Sequence, residues 1–418
     1  MSRDPIVKFE HEKLILNQKN KEERELFEKL QKYSGHEGSP YYTLIHNGVK
    51  FNQHVGVIQV GRTTIEVLPK TDKATEDEDI WKNVLIQILR ITSGIEASAT
   101  SKSNLKLQSN SIFDLYIELF IKECEKLTHQ GLAKKYRKVQ ENQTALKGRL
   151  HLPGQIRDNL IHKERFHVEY SKYDQNHLIN QILKKTLSVL TRIPIRLDLR
   201  SRVRRQLLYF DDIGDCAVYE QLFNNIHLNR KTDRYSKALE IARLILLNYH
   251  PDISRGANHI LALMFDMNQL WERFITKMIR KDLSDIYQVK VQNKMAFWQS
   301  GNISRGLKPD ILLIPKDGSD KKIVIDTKWK TPKNRTPSDQ DLRQIFAYNK
   351  LFRSQKGILL YPGDKSPLAG NYTIDGCDEC SSEFDGYDEC SSEFVNLIDS
   401  SGNLKNSFDF APMLERNA

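Results

Sequence analysis

The stretch KPDILLIPKDGSDKKIVIDTKWK, residues 308–330, contains two apolar runs joined by an Asp-Gly turn, with an acid at the outer end of each run. This pattern predicts an antiparallel hairpin that turns at the Asp-Gly pair. Asp310 and Asp326 each lie eight residues from Gly318, so they face one another at the end of the hairpin away from the turn. Lys328 projects from the same face because strand side chains alternate with a period of two. The sequence thus predicts two carboxylates and a lysine in one place.

Two kinds of site fit this hairpin. Paired acids at the mouth of a sheet form a hard-oxygen site of the kind that holds Mg²⁺ with several waters retained. Such a metal clamps a phosphodiester and lowers the pKa of a bound water, while a nearby lysine orients that water or stabilises the negative transition state. The alternative is structural, with Asp310 and Asp326 paired to Lys328 as ions. The hairpin alone fits both interpretations equally.

Polar residues on the flanking segments extend the pattern. Glu272 in QLWERFITKMI falls on a helix upstream of the hairpin, where it is either a third acid of a metal shell or a solvated first-turn glutamate. Gln344 and Tyr348 in DLRQIFAYNKLF are four residues apart and share one helix face. Both side chains can hydrogen-bond phosphate or a metal-bound water, or they form the polar edge of a helix that faces the core.

The periodicity of the 418-residue chain predicts a multidomain α/β protein of the α+β kind, since two or three domains suit this length. Residues 1–75 alternate polar with β-branched residues and predict a β-rich N-terminal domain. Residues 76–255 space apolar residues three and four apart and predict a mainly helical middle region. Residues 256–418 read as a helix over LMFDMNQLWERFITKMIRKDL, the hairpin, a second helix and a buried strand, which predicts an α/β unit.

The charge of the chain favours a polyanionic partner. The net charge is +10, yet residues 375–394 hold eight acids and no base, so the rest of the chain carries +18, eight more than the whole. Lysine and arginine set against phosphates release condensed counterions, and this stabilises binding to nucleic acid. A basic run from Arg192 to Arg205 would track DNA phosphates or bind a protein partner, or it is solvated helix charge.

The acidic segment is a tandem duplication. DGCDECSSEF at 375–384 is followed by DGYDECSSEF at 385–394, with one difference between the copies. Two copies are too few for a solenoid, so an elongated surface loop is expected. Cys377, Cys380 and Cys390 do not predict a zinc site, because no fourth Cys or His stands nearby at finger spacing.

Five cysteines, unevenly placed, and a charged N-terminus MSRDPIVKFEHEK predict a reducing, cytoplasmic location. No apolar run approaches the roughly 18–20 residues needed to cross a bilayer, so no membrane insertion is expected.

The order of helix Glu, Pro-Asp, Asp-x-Lys and Gln-x-x-x-Tyr resembles the PD-(D/E)xK nuclease fold. More particularly, the chain resembles the McrC family, the nuclease subunits of McrBC-type modification-dependent restriction systems. The similarity extends over most of the chain, weakly in GVIQVGRTTIEVLPK, and more clearly in KGRLHLPGQIRDN, YDQNHLINQILKKTL, FDMNQLWERF, KPDILLI, IVIDTKWK, DLRQIFAYN and ILLYP.

The resemblance implies a C-terminal PD-(D/E)xK core with Mg²⁺ as its cofactor. It implies that Asp310 and Asp326 are metal ligands, with Glu272 as an accessory acid of the same shell. Lys328 would be the catalytic lysine, and Gln344 and Tyr348 would be active-site helix residues. Asp326 stands where many relatives of the fold use Glu, which the motif permits. The acidic duplication has no counterpart in the resemblance.

The resemblance also implies partners. McrC-like chains cleave DNA together with a McrB-like AAA+ hexamer that hydrolyses GTP, and they stimulate that GTPase. This sequence has no G-x-x-x-x-G-K-[ST] loop, so no nucleotide site is expected in it. The N-terminal region with Arg62 in a Gly-Arg turn is the candidate insertion into the ring, or a plain surface hairpin. Cuts on opposite strands would need two nuclease chains, which predicts dimerisation on DNA.

Two other functions remain open from the sequence. One is a non-catalytic adaptor that docks DNA or stimulates a motor, although an adaptor would be free to lose one of the two acids or the lysine. The other is a PD-(D/E)xK repair nuclease that acts without a GTPase.

Overall fold

A computed structural model describes most of the chain. Arg62, Cys377 and Cys380 lie outside the described residues, and so do most of the acidic duplication and the predicted Gly-Arg turn. The described residues are 5–35, 38–61, 63–70, 77–92, 112–250, 260–301, 303–372, 389–405 and 407–415.

The N-terminal region is rich in short strands, as the sequence predicts. Strand β1 pairs in parallel with β6, and β4 lies between β2 and β3 in an antiparallel sheet. Its elements are β1 (Ile6–Phe9), β2 (Lys13–Ile15), α1 (Lys21–Ser34), β3 (Tyr42–Ile45), β4 (Gly48–Phe51), β5 (His54–Val60), β6 (Thr63–Leu68) and α2 (Glu78–Thr92).

The middle region contains helices and also a sheet. Its elements are α3 (Ile112–His129), β7 (Lys135–Gln143), β8 (Arg149–Leu150), α4 (Leu152–Asn159), β9 (Phe166–Asp174), α5 (Leu178–Leu190), α6 (Leu197–Leu208), α7 (Glu220–Asn224), α8 (Ser236–Leu247) and β10 (Tyr249–His250). Strand β9 pairs antiparallel with β7 and β8, which a mainly helical prediction for this region missed. Only Val139 is buried in β7, so its sequence KYRKVQENQ lacks the apolar alternation that reveals a strand.

The C-terminal region holds a six-stranded sheet of order β12-β15-β16-β17-β19-β18. Its elements are β11 (Ile260–Asp266), α9 (Met267–Leu283), β12 (Tyr287–Val291), β13 (Met295–Ser300), β14 (Ile303–Leu307), β15 (Ile311–Pro315), β16 (Lys322–Thr327), α10 (Asp339–Phe352), β17 (Ser354–Pro362), β18 (Leu368–Asn371), β19 (Glu389–Val395) and α11 (Ala411–Glu415).

A βαβ unit forms the centre of this sheet. Strand β16 runs parallel to β17, and α10 connects them. The apolar side of α10 contributes Ile345 and Phe352 to a buried cluster that also contains Val324 and Leu359 of the two strands. Burial of aliphatic and aromatic surface of this kind is the main stabilising term in folding. The packing fixes α10 over the sheet, with its polar residues near the end of β16.

Two sequence expectations are wrong in detail. The predicted helix over LMFDMNQLWERF begins only at Met267, because the Asp266 side chain caps it by accepting from the backbone N–H groups of Asn268 and Gln269. The residues before it form β11 instead. The end of the acidic duplication is not surface loop, since residues 389–394 lie in β19.

Strand β19 is buried despite its acids. It pairs in parallel with β17, and Cys390, Ser391 and Ser392 are small side chains that fit the interior of a sheet. Lys356 of β17 lies 3.1 Å from the Glu389 carboxylate and neutralises it. The many acids of the duplication therefore indicated a loop where the structure has a strand.

The chain divides into two compact units. One contains Val57–Thr64 and the described residues of Ser103–Leu263. The other contains Pro5–Gly56 and the described residues of Ile65–Lys102 and Met264–Ala418. The N-terminal strands β1 to β4 thus belong to the same compact unit as the six-stranded sheet. The division into residues 1–75, 76–255 and 256–418 by role stays a prediction.

Among the described residues, every helix is too short or too polar to span a membrane.

Gly357 provides a test of the packing of α10 on the sheet. A Cβ at this position would lie 2.1 Å from Cγ2 of Ile345, whereas a Cβ at Gly370 of β18 would meet no atom within 4 Å. We expect Gly357→Ala to lower the free energy of unfolding by about 1–3 kcal/mol or more, because overpacking forces backbone shifts. Urea denaturation measures the change. Gly370→Ala is the matched control, and an equal loss in both variants would contradict the packing argument.

Candidate active site

The hairpin that carries the predicted acids forms in the expected register. Ile311 pairs with Ile325 and Leu313 with Ile323 across the antiparallel strands β15 and β16. Continuing this register by one residue places Asp310 opposite Asp326. The turn occupies residues 316–321, with Gly318 in the left-handed region at φ 83°.

Asp310 lies at the start of β15 and is held by the end of β16. Its Oδ2 accepts hydrogen bonds from the backbone N–H and from the hydroxyl of Thr327, both at 2.8 Å. Thr327 is buried, so these bonds fix the carboxylate where the two strands meet. Among the described residues, no hydrogen-bond donor contacts the other carboxylate oxygen of Asp310.

Asp326 is buried at the end of β16, with 2% of its surface exposed. Burial, and then the negative charge of Asp310, raise the pKa of Asp326 to about 6, although Lys328 opposes this shift. Lys328 Nζ lies 2.7 Å from Asp326 Oδ2. A buried carboxylate, a half-buried one and a lysine therefore lie together at this end of the hairpin.

A chain of hydrogen bonds runs from Lys328 along one face of α10. Lys328 donates to Gln344 Oε1 at 2.9 Å, and Gln344 donates to the hydroxyl of Tyr348 at 2.7 Å. The Tyr348 hydroxyl donates in turn to the backbone carbonyl of Lys308 at 3.2 Å, two residues before Asp310. Burial raises the pKa of Tyr348 to about 12, so this hydroxyl keeps its proton. The predicted pair of helix residues is thus joined to the lysine.

Asp341 is a site residue that the sequence did not indicate. It is buried one turn before Gln344, and its carboxylate lies 3.9 Å from Lys328 Nζ and pairs with Lys330. Burial opposes its ionisation, but hydrogen bonds from Lys330 and Ser338 outweigh that effect and lower its pKa. Its spacing of three residues from Gln344 places the two side chains on one helix face and could have indicated it. An acid in the first turn is also expected for a different reason, because it interacts favourably with the helix dipole.

Glu272 lies near the pair but has its own partner. Its Oε1 accepts from Gln292 at 2.6 Å, and Gln292 also accepts from the Lys308 ammonium at 2.9 Å. Burial and the charge of Asp310 raise the pKa of Glu272. The charge of Asp310 thus affects Glu272, and the hydrogen bond from Gln292 gives Glu272 a partner of its own.

The residue after the lysine is anchored by the N-terminal region. Trp329 donates from Nε1 to the Glu10 carboxylate at 2.7 Å, and both side chains are buried. Trp271 of α9 stacks edge-on against the Trp329 ring at 5.4 Å. The backbone N–H of Lys328 donates to the carbonyl of Leu360 at 2.9 Å. These contacts fix the backbone on both sides of the lysine side chain.

The donor set fits a divalent cation held by two carboxylates. Within the described ranges, no three Asp, Glu, His or Cys side chains converge closely enough to hold a metal. Burial of Asp326, however, and then the negative charge of Asp310 raise the pKa of Asp326, so the pair lacks a fully compensating positive charge. Mg²⁺ is commonly bound by one or two carboxylates with waters completing its shell. The structural ion pair of Asp326 with Lys328 is present as well, so the two interpretations are compatible.

The basic run in the middle region is partly neutralised by neighbouring acids. Arg202 pairs with Glu125 at 2.7 Å, Arg205 lies 3.6 Å from the same carboxylate, and Arg196 pairs with Asp198 at 2.6 Å. These contacts show a structural role for three of the arginines. Binding of DNA or of a partner by the run stays a prediction.

Comparisons with known proteins identify the family of the chain. The sequence model of a family described as McrBC 5-methylcytosine restriction system component matches residues 49–362. A curated relative from Escherichia coli (strain K12), described as Type IV methyl-directed restriction enzyme EcoKMcrBC, is 21% identical over 302 residues. That match covers 66% of this chain and 84% of the relative.

One solved structure shows a similar fold. A chain in the half-complex refined from the tetradecameric assembly of Thermococcus gammatolerans McrB AAA+ hexamers with bound McrC matches with a TM-score of 0.64 and 19% identity. The match covers 98% of each chain. A chain of the Thermococcus gammatolerans McrBC complex matches 67% of this chain and 88% of its own length, with a TM-score of 0.48 and 21% identity.

The pKa of Asp326 predicts a pH dependence of stability. Its folded value of about 6 exceeds the ordinary 3.8, so the folded state binds more protons between these values and loses stability as pH rises through that window. In metal-free buffer we expect the free energy of unfolding to fall less between pH 4 and pH 7 in Asp326→Asn than in wild type. Urea denaturation across that pH range measures both slopes. Parallel pH profiles for the two proteins would refute the raised pKa.

Proposed function

Because the chain belongs to the family of McrBC 5-methylcytosine restriction system components, we propose that it is the Mg²⁺-dependent DNA endonuclease subunit of a GTP-driven restriction complex. The carrying observation is the cluster of Asp310, Asp326 and Lys328 at one end of an antiparallel strand pair. Two acids and a lysine on adjacent strand ends are the residues that a PD-(D/E)xK core uses. The order of strands and helices around them supports that assignment.

In this proposal Asp310 and Asp326 hold Mg²⁺ through their carboxylates. The ion supplies a Lewis acid for the phosphodiester and a water of lowered pKa. Thr327 donates two hydrogen bonds to Asp310, so the Asp310 carboxylate is already oriented in the absence of metal. Asp326 must be ionised to act, and its pKa of about 6 makes cleavage fall as pH drops below that value.

Lys328 stabilises the negative charge that develops on the phosphate and orients the attacking water. A preorganised cation at the site of developing charge is worth more in a desolvated corner than in water. Gln344 holds the ammonium from the α10 side, and Tyr348 fixes Gln344 in turn. These two are positioning residues. Asp341 and Lys330 balance charge behind them.

The partner in this proposal is a McrB-like AAA+ ring that hydrolyses GTP. The structurally similar Thermococcus gammatolerans assembly contains McrB AAA+ hexamers with bound McrC. This sequence has no G-x-x-x-x-G-K-[ST] loop, which agrees with a separate motor subunit. Stimulation of that GTPase by this chain, and pairing of two nuclease chains on DNA, are parts of the same proposal.

Loss of the lysine should silence cleavage without disrupting the complex. We expect Lys328→Ala and Asp326→Ala each to slow cleavage of supercoiled plasmid by about 10²-fold or more, because a preorganised charge in the transition state is removed. The reaction contains the chain, its ring partner, GTP and Mg²⁺. GTP hydrolysis by the partner should stay within twofold.

The matched control is Lys321→Ala, which removes an exposed lysine at the opposite end of the same hairpin. We expect that variant to cleave at the wild-type rate. Unchanged cleavage by both Lys328→Ala and Asp326→Ala would refute the site assignment.

Metal binding separates the nuclease from an adaptor. We expect calorimetric titration of the chain with Mg²⁺ at pH 8 to show one weak site that Asp310→Ala and Asp326→Ala abolish. Glu272→Gln should retain the site with less than about fivefold weakening, because Glu272 is already bonded to Gln292. Absence of binding heat in the wild type would favour the adaptor. Loss of binding in Glu272→Gln would place Glu272 among the ligands.

A further inference from the structure

An exposed hairpin emerges from the sheet beside the two acids. Strands β12 and β15 are antiparallel neighbours, with Val291 paired to Ile311, and Gln292 donates its backbone N–H to the carbonyl of Asp310 at 2.9 Å. A connection of about two to five residues suffices between such strands. The chain instead uses residues 292–310 and folds part of them into the strand pair β13–β14. This hairpin therefore leaves and rejoins the sheet at the end where Asp310 lies.

The hairpin carries large apolar side chains into solvent. All six residues of β13 are exposed, including Phe297 and Trp298, and Ile303 at the start of β14 is exposed as well. Trp298 is 50% exposed, whereas the other tryptophans of the chain, Trp81, Trp271 and Trp329, are buried. Exposure of a large apolar patch to water is unfavourable, so such a patch indicates a surface that binds a partner.

The strand pairing concentrates aromatic and basic groups. Trp298 stands directly opposite Arg305, so the ring and the guanidinium are cross-strand neighbours. The register shifts between Ala296 and Trp298, which leaves Phe297 as an unpaired bulge residue. Bulges re-aim side chains and are frequent beside active sites.

The hairpin and its flanking residues carry positive charge only. Residues 286–309 contain Lys290, Lys294, Arg305 and Lys308 and no acid. Lys294 lies across Gly306, where an added Cβ would approach its Cε to 2.7 Å, so the glycine makes room for this lysine. Among the described residues, none of these cations forms a salt bridge. A surface of aromatic rings and such cations is complementary to nucleic acid, since the cations contact phosphates and the rings contact sugars or bases.

From this placement we infer that the β13–β14 hairpin binds duplex DNA next to the phosphate that is cut, with Arg305 and Lys294 on the backbone and Phe297 and Trp298 against the groove. The inference rests on the proposed nuclease function and adds the surface that positions its substrate. The hairpin's root at Asp310 would then set the distance between bound DNA and the acids.

Tryptophan fluorescence tests the contact directly. In the full chain carrying Lys328→Ala, which prevents cutting, we expect iodide to quench Trp298 and a saturating duplex to reduce that quenching at least threefold. Trp298→Phe in the same background is the control and should show little iodide quenching with or without DNA. DNA that binds, as measured by anisotropy of a labelled duplex, but leaves Trp298 open to iodide would overturn the inference. So would absence of binding at low salt.

Charge reversal tests the backbone contact. We expect Arg305→Glu to weaken duplex binding about tenfold and to lower the slope of log affinity against log salt by about 1 or more, because at least one phosphate contact is lost. The control is Arg24→Glu on α1, an exposed arginine of the same compact unit, which should change affinity less than twofold. Equal effects of the two reversals would overturn the inference.

Two further readouts separate this inference from its rivals and from the proposed function. A double variant Phe297→Ser with Trp298→Ser that keeps DNA affinity but abolishes self-association in sedimentation would assign the patch to a second copy of the chain, and overturns DNA binding. Plasmid cleavage is measured in the hairpin variants with Lys328 intact. If those variants cleave at the wild-type rate, the role of the hairpin is refuted and the proposed function is not. If the wild-type and Lys328→Ala chains cleave plasmid equally, the proposed function itself fails.

Discussion

The repulsion between two carboxylates at the end of one strand pair governs the arrangement around the site. The register of β15 and β16 brings Asp310 and Asp326 together, and because Asp326 is buried, water screens their repulsion only weakly. Removing a carboxylate from water costs several kcal/mol unless it is paired and hydrogen-bonded. Thr327 donates a hydrogen bond to Asp310, and Lys328 forms an ion pair with Asp326, so each carboxylate has a partner. The pKa of Asp326 stays raised despite these contacts, and a divalent cation bound by both carboxylates would stabilise their charged forms.

Much of the site could be predicted because its residues are related by local periods. Alternation along a strand relates Asp326 to Lys328, and equal arms around Gly318 relate Asp310 to Asp326. A helical spacing of four relates Gln344 to Tyr348, and the two side chains are hydrogen-bonded. Regular secondary structure converts such spacings into distances, so a sequence pattern is sufficient. Strand β17 and helix α10 were predictable for the same reason.

The contacts that escaped prediction join distant parts of the chain or lack an apolar period. Glu10 and Trp329 are 319 residues apart, and no local pattern relates a buried N-terminal acid to the residue after the lysine. Strands β13 and β14 bury almost nothing, so the apolar alternation that marks a half-buried strand is absent from them. In β19 the acids of the duplicated segment led to the prediction of a surface loop, although the small residues between them are buried. Charge on a segment indicates exposure only when no partner such as Lys356 is present in the fold.

In the proposed mechanism, the surroundings of Lys328 would let one lysine serve the carboxylate pair with and without a metal. In this structure its ammonium neutralises Asp326 at 2.7 Å. If a divalent ion took over that role, the lysine would still have Gln344 at 2.9 Å and the Asp341 carboxylate at 3.9 Å. Release from Asp326 would therefore not leave the ammonium without a partner, and it would be available to a phosphate. Because Asp341 also pairs with Lys330, its attraction for Lys328 is shared. Helix α10 thus carries the alternative partners that the proposed role of the lysine requires.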